Sequence, residues 1–70
     1  APLLVKEIFA RLVELNRERS LPILLVEQNA HLALEVSTHG YVLETGRVLL
    51  SDRSSVLRDS PEVRSAYLGG

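Results

Sequence analysis

Pro22-Ile23-Leu24-Leu25-Val26-Glu27-Gln28-Asn29 sits in the middle of a 70-residue chain, four apolar residues running straight into three polar ones. No apolar–polar alternation marks residues 23–26, so neither face is set aside for water. A short run of this kind fits a strand buried on both faces, as in a parallel sheet flanked by helices. In such sheets ligands gather beyond the carboxyl ends of the strands. Glu27, Gln28 and Asn29 stand at that end, so a chemical site is expected there. The other reading is a plain polar exit from a buried strand into a loop.

Upstream of this stretch, residues 3–19 read as an amphipathic helix. Val5, Ile8, Phe9 and Leu12 keep the i, i+3, i+4, i+7 spacing, and Leu15 prolongs the stripe. Pro2 suits a first helical position, where its missing N–H costs nothing. Glu7 and Arg11 form an i,i+4 pair in the favourable order. Arg17 and Arg19 suit the negative end of the helix dipole. Residues 20–22 stop the helix, because Leu21 precedes a proline and is biased away from helical backbone.

Downstream, Asn29 is a good N-cap for a second helix running to about Thr38. Ala30, Ala33 and Leu34, with Leu32 and Val36, supply its apolar residues. His31 and Glu35 are i,i+4 neighbours, read as a solvated charge pair because further metal ligands are missing. His39 is placed to cap carbonyls at the helix end. Gly40 breaks the pattern. Two β-rich runs, 41–44 and 47–51, are then separated by Thr45-Gly46, a hairpin signal. Leu49-Leu50 interrupts the alternation of the second run. Ser54 or Ser55 is expected to cap a short helix through Leu57. Ser60-Pro61-Glu62 opens a last one, with Val63, Ala66 and Tyr67 on its apolar side and Gly69-Gly70 at its end.

The expected order is helix, strand, helix, hairpin and two short helices, an α/β arrangement. It holds only one parallel-type strand. A lone buried strand needs neighbours, and this chain offers at most the hairpin, so further strands are expected from elsewhere in a longer protein.

The totals narrow the function classes. Seventy residues make one small domain at most, marginal if it stands alone. The net charge is −1 with both signs mixed along the chain, which provides no basic stripe for nucleic acid. No cysteine is present, so there is no thiolate zinc site or disulfide framework. No apolar run approaches the roughly 18 residues of a membrane span, and the first residues lack a signal-peptide layout. A soluble, cytoplasmic protein is expected. The opening Ala1-Pro2, with no Met anywhere, fits either removal of an initiator Met or a cut from a longer chain.

Three segments carry a resemblance. Residues 23–30 (Ile-Leu-Leu-Val-Glu-Gln-Asn-Ala), 40–48 (Gly-Tyr-Val-Leu-Glu-Thr-Gly-Arg-Val) and 62–70 (Glu-Val-Arg-Ser-Ala-Tyr-Leu-Gly-Gly) closely resemble the C-terminal end of an ABC transporter ATPase. The particular likeness is to the ATP-binding subunit of bacterial branched-chain amino-acid importers, and it covers essentially the whole chain. The resemblance implies a C-terminal fragment of a P-loop NTPase domain. Ala1 and Pro2 would be the end of the D-loop at the dimer interface. The strand at 22–27 would lead into the switch loop, where most ABC ATPases carry a histidine near the γ-phosphate. Gln28 stands at that position, which agrees with the branched-chain amino-acid subfamily. A glutamine amide can donate a hydrogen bond to phosphate or water but cannot become cationic or act as an ordinary base.

The resemblance further implies ATP and Mg2+ as cofactors of the parent protein. Its partners would be a second ATP-binding subunit and membrane permease subunits, and its place the inner face of the bacterial cell membrane. The 70 residues hold no Gly-x4-Gly-Lys-Ser/Thr loop and no catalytic glutamate in the family's position, so the isolated chain is expected not to bind ATP tightly and not to be a competent ATPase. Left alone, its uncovered apolar faces should make it self-associate. The alternative is a small self-associating binding or regulatory module with no nucleotide chemistry.

Overall fold

The computed structural model describes residues 2–69; the reading of Ala1 lies outside them. Helix α1 (Pro2–Glu18) starts at Pro2 as expected. It buries Phe9, while Leu12, Val13 and Leu15 are half-buried. Val5 and Ile8, expected on the same covered stripe, are exposed. Arg11 pairs at 2.7 Å with Glu14, one turn ahead, instead of with Glu7. That pair is exposed and contributes little to stability. The helix ends where Ser20 takes a left-handed backbone with φ of 53°. This turns the chain back, so the Leu21 N–H donates to the Leu15 carbonyl at 3.2 Å. Asn16 Nδ2 donates to the Leu21 carbonyl at 2.9 Å and closes the turn.

Residues 22–27 overturn one expectation. They carry no strand, and the sheet among the described residues has two strands only. Leu24 and Val26 are each 88% exposed, and only Leu25 is half-buried. The reason is geometric: a strand exists only against a partner. The two strands that form pair with each other, and residues 22–27 join neither outer edge. The observed order is therefore helix, helix, hairpin, helix, helix, still a mixture of helix and strand.

Helix α2 (Ala30–Val36) is two residues shorter than expected. Its cap is the expected one, with Asn29 Oδ1 accepting from the Leu32 N–H at 3.2 Å. His31 does not pair with Glu35; its Nε2 lies 3.1 Å from the Leu68 carbonyl oxygen, to which it donates. Strands β1 (His39–Glu44) and β2 (Arg47–Arg53) make an antiparallel hairpin. Thr45 and Gly46 both have positive φ, 50° and 74°, as a tight two-residue turn of matching twist requires. The register explains the broken alternation. Val42 faces Leu50 and Leu43 faces Val48, so Leu49 is the extra residue of a bulge. His39 is not a helix cap. It begins β1, with Nε2 3.0 Å from Ser51 Oγ and its ring 4.9 Å from that of Tyr41.

Helix α3 (Ser54–Asp59) follows β2 directly and has no side-chain cap, contrary to the expectation for Ser54 or Ser55. The Ser54 hydroxyl is buried and meets Ser37 Oγ at 2.6 Å, while its N–H donates to the Thr38 carbonyl at 3.0 Å. Helix α4 (Pro61–Tyr67) has the expected Ser60 cap, with Oγ accepting from the Val63 N–H at 3.4 Å. Val63 is 1% exposed, whereas Ala66 and Tyr67, expected on the same covered side, are exposed.

Leu34, Leu57 and Val63 form the core, with Val42, Leu50 and Leu68 packed around them. Gly40 lies inside β1 and not between elements. A Cβ there would meet Leu57 Cδ1 at 2.7 Å and Leu34 Cδ2 at 3.3 Å, so glycine is what lets α2 and α3 close on the strand. Arg58 Nη1 donates to the Leu34 carbonyl at 3.0 Å and ties α3 to the end of α2.

Two outcomes are expected in denaturant titrations. Ser20→Gly should raise stability by about 1 kcal/mol, because glycine adopts a left-handed backbone without the Cβ clash. Gly40→Ala should lower it by about 1 kcal/mol, because Leu57 is buried and has little room to move aside. Gly40→Val should cost more than Gly40→Ala.

Candidate functional site

The site expected at residues 27–29 is a short loop between the unpaired stretch and α2. The polar side chains there divide their work. Glu27 folds back along its own chain, and its Oε1 accepts from the Gln28 N–H at 3.0 Å and the Asn29 N–H at 3.1 Å. Asn29 is committed to the α2 cap. Gln28 is exposed at a bend, and among the described residues its carboxamide has no hydrogen-bond partner. Of the three, it is the one whose side chain makes no hydrogen bond among the described residues.

Glu27 and Gln28 line an open cleft of about 990 Å³. One wall is the stretch 23–28 with Leu12 and Val13 of α1. The other comes from α2, the hairpin and the inner sides of α3 and α4. A second groove of about 360 Å³ lies between α1 and α2, from Lys6 and Phe9 to Leu32 and Glu35. Pro2 lines neither. The structure therefore does not bring the two expected site positions, Gln28 and Pro2, into one cavity.

The chemistry open to this loop is limited and specific. Gln28 can donate through its NH2 and accept through its oxygen, which suits an anionic oxygen or a positioned water. It cannot exchange a proton at ordinary pH. Among the described residues no group of three or more His, Asp or Glu side chains could hold a metal ion. Among the described residues no helix is long and apolar enough to cross a membrane.

The sequence placed Glu27, Gln28 and Asn29 together at the expected site and, through the resemblance, gave a role to Gln28 alone and none to Glu27. A signal was available: a flexible carboxylate directly before two N–H groups that no helix or strand engages. The bond from His31 to Leu68 had no such signal, since 37 residues separate the partners.

Known proteins agree with the resemblance. Over all 70 residues the chain is 44% identical to the high-affinity branched-chain amino acid transport ATP-binding protein BraG of Pseudomonas aeruginosa, covering 30% of that protein. Over 69 residues it is 35% identical to the probable branched-chain amino acid transport ATP-binding protein LivF of Archaeoglobus fulgidus, which is 99% of this chain and 29% of the relative. The lipopolysaccharide export system ATP-binding protein LptB of Acidithiobacillus ferridurans is 34% identical over 68 residues, 97% of this chain and 28% of the relative. No family model and no solved structure matches the chain. The chain thus spans about three tenths of the length of the curated relatives it matches. It is a homologue of the ATP-binding proteins of branched-chain amino-acid ABC transport.

Proposed function

We propose that residues 1–70 are the C-terminal part of the nucleotide-binding domain of an ATP-hydrolysing subunit that powers import of branched-chain amino acids across the bacterial inner membrane. In this reading Ala1 and Pro2 end the D-loop, residues 22–27 lead into the switch loop, and Gln28 senses the γ-phosphate. ATP and Mg2+ serve the parent protein, which pairs with a second ATP-binding subunit on membrane permease subunits at the inner face of the membrane. Phosphoryl transfer relies on positioned charges and donors acting together, and this segment supplies one of those donors.

The observation that carries the reading is the carboxamide of Gln28, without a partner among the described residues, between Glu27 and Asn29, which each bond one side-chain oxygen to the chain. A donor without a proton to lose suits a phosphate-contacting role better than acid–base work. The unpaired stretch supports the fragment reading: Leu24 and Val26, 88% exposed, need the cover that a larger sheet with its helices supplies.

The same exposure favours a second reading for the isolated chain, a self-associating module. Edge backbone and uncovered apolar side chains are templates for pairing with another chain. Burying about 400 Å² of apolar surface contributes on the order of 10 kcal/mol before entropic costs.

Two measurements bear on these readings. In the full-length ATP-binding protein, Gln28→Ala should lower the turnover of ATP about tenfold and leave nucleotide affinity within about twofold, since one contact is lost and the phosphate cradle stays. Steady-state hydrolysis beside calorimetric titration with Mg-ATP reads both, and unchanged turnover would remove Gln28 from the mechanism. For the 70-residue chain alone, sedimentation at several concentrations should reveal an oligomer or a loosely packed monomer. A concentration-independent monomer with a cooperative thermal transition would show that these residues close their own core.

A further inference from the structure

The relation between Glu27 and Gln28 is a clamp on the backbone. A single carboxylate oxygen, Glu27 Oε1, accepts from two successive N–H groups at 3.0 and 3.1 Å. Both donors belong to the peptide units that bracket Gln28: its own N–H and that of Asn29. Hydrogen bonds to an ionised acceptor are roughly twice as strong as neutral ones. On the other side Asn29 is pinned by its bond to the Leu32 N–H at 3.2 Å, which fixes the loop to the first turn of α2. The backbone around Gln28 is therefore held by the first turn of α2 on one side and by the Glu27 carboxylate on both flanking N–H groups.

We propose that Glu27 is the positioning residue of Gln28: its carboxylate holds the two flanking peptide N–H groups so that the Gln28 carboxamide projects free of the protein toward an anionic oxygen. This rests on the phosphate-contacting role of Gln28 given above. Glu27 itself touches no substrate in this proposal. It acts by limiting the backbone conformations that Gln28 visits, so that the amide is pre-aimed and no ordering is needed at the moment of reaction. The positioned amide matters most when charge moves on the phosphoryl oxygens, so the effect falls on the catalytic step more than on nucleotide binding. A glutamine at position 27 keeps an acceptor oxygen at the same reach, whereas alanine removes it.

The test uses the full-length ATP-binding protein with Glu27→Ala, Glu27→Gln, Gln28→Ala and the double variant E27A/Q28A. Glu27→Ala should lower kcat about tenfold, the scale of one lost charge-assisted hydrogen bond, with KM for ATP within about twofold. Glu27→Gln should restore most of that loss. The double variant should be no slower than Gln28→Ala alone, because a positioner has nothing to do once its target is gone. Hydrogen exchange read by mass spectrometry over the loop should accelerate in Glu27→Ala and not in Gln28→Ala. Normal kcat in Glu27→Ala beside a slow Gln28→Ala would overturn the positioning role and leave the role of Gln28 intact. Additive losses in the double variant would also overturn it, because Glu27 would then act independently of Gln28. Normal kcat in Gln28→Ala would overturn the phosphate-contacting role, and the positioning role with it.

Discussion

A β-strand is a relation between two segments of chain, and most of this structure follows from which relations 70 residues can complete. The hairpin is the sheet among the described residues, and its two strands use each other's N–H and C=O groups. Residues 22–26 have the composition of a buried strand but join neither open edge of the hairpin, and their backbone makes no hydrogen bond among the described residues. The side chains follow the backbone. Leu24 and Val26 stand exposed because the element that would have oriented and covered them did not form. The open cleft between this stretch and the hairpin is the space such a relation would have filled.

The packed part of the molecule is small and depends on one close approach. Leu34, Leu57 and Val63 come from three different helices and form one cluster, and Leu34 and Leu57 close on β1 where Gly40 has no side chain to hold them off. Val42 and Leu50 face each other across the ladder and share its inner face, and the bulge at Leu49 changes the register only beyond them. Polar groups close the edges: Ser37 with Ser54, Arg58 with the end of α2, and His31 with the end of α4. Helix α1 stands outside this unit, with Phe9 as its one buried residue among those described.

The loop at 27–29 sits at the boundary between these two regimes. Behind it lies backbone without partners, and ahead of it lies a capped helix that belongs to the core. Such a boundary is where a side chain can be held in place and still reach outward. Glu27 and Asn29 each bond one side-chain oxygen to the chain itself, whereas the exposed Gln28 carboxamide makes no bond among the described residues. The division of labour is legible in bond distances and is independent of any ligand.

The sequence by itself determined whatever depends on neighbours a few residues apart. The Asn29 and Ser60 caps, Pro61 in the first turn of α4 and the Thr45-Gly46 turn were all readable, because each is satisfied within one turn of chain. The tertiary structure decided what depends on distant partners. Whether residues 22–27 become a strand was not theirs to settle, since a ladder needs a second chain segment. Leu34, Leu57 and Val63 were each apolar in the sequence, but that these three and not Val5 or Ile8 are buried follows from which helices reach the hairpin floor. Gly40 read as a break and proved to be a contact point, because its neighbours, Leu34 and Leu57, arrive from elsewhere in the chain. Ser54 lost its expected role as a cap because Ser37, 17 residues away, was the better partner once the fold had closed.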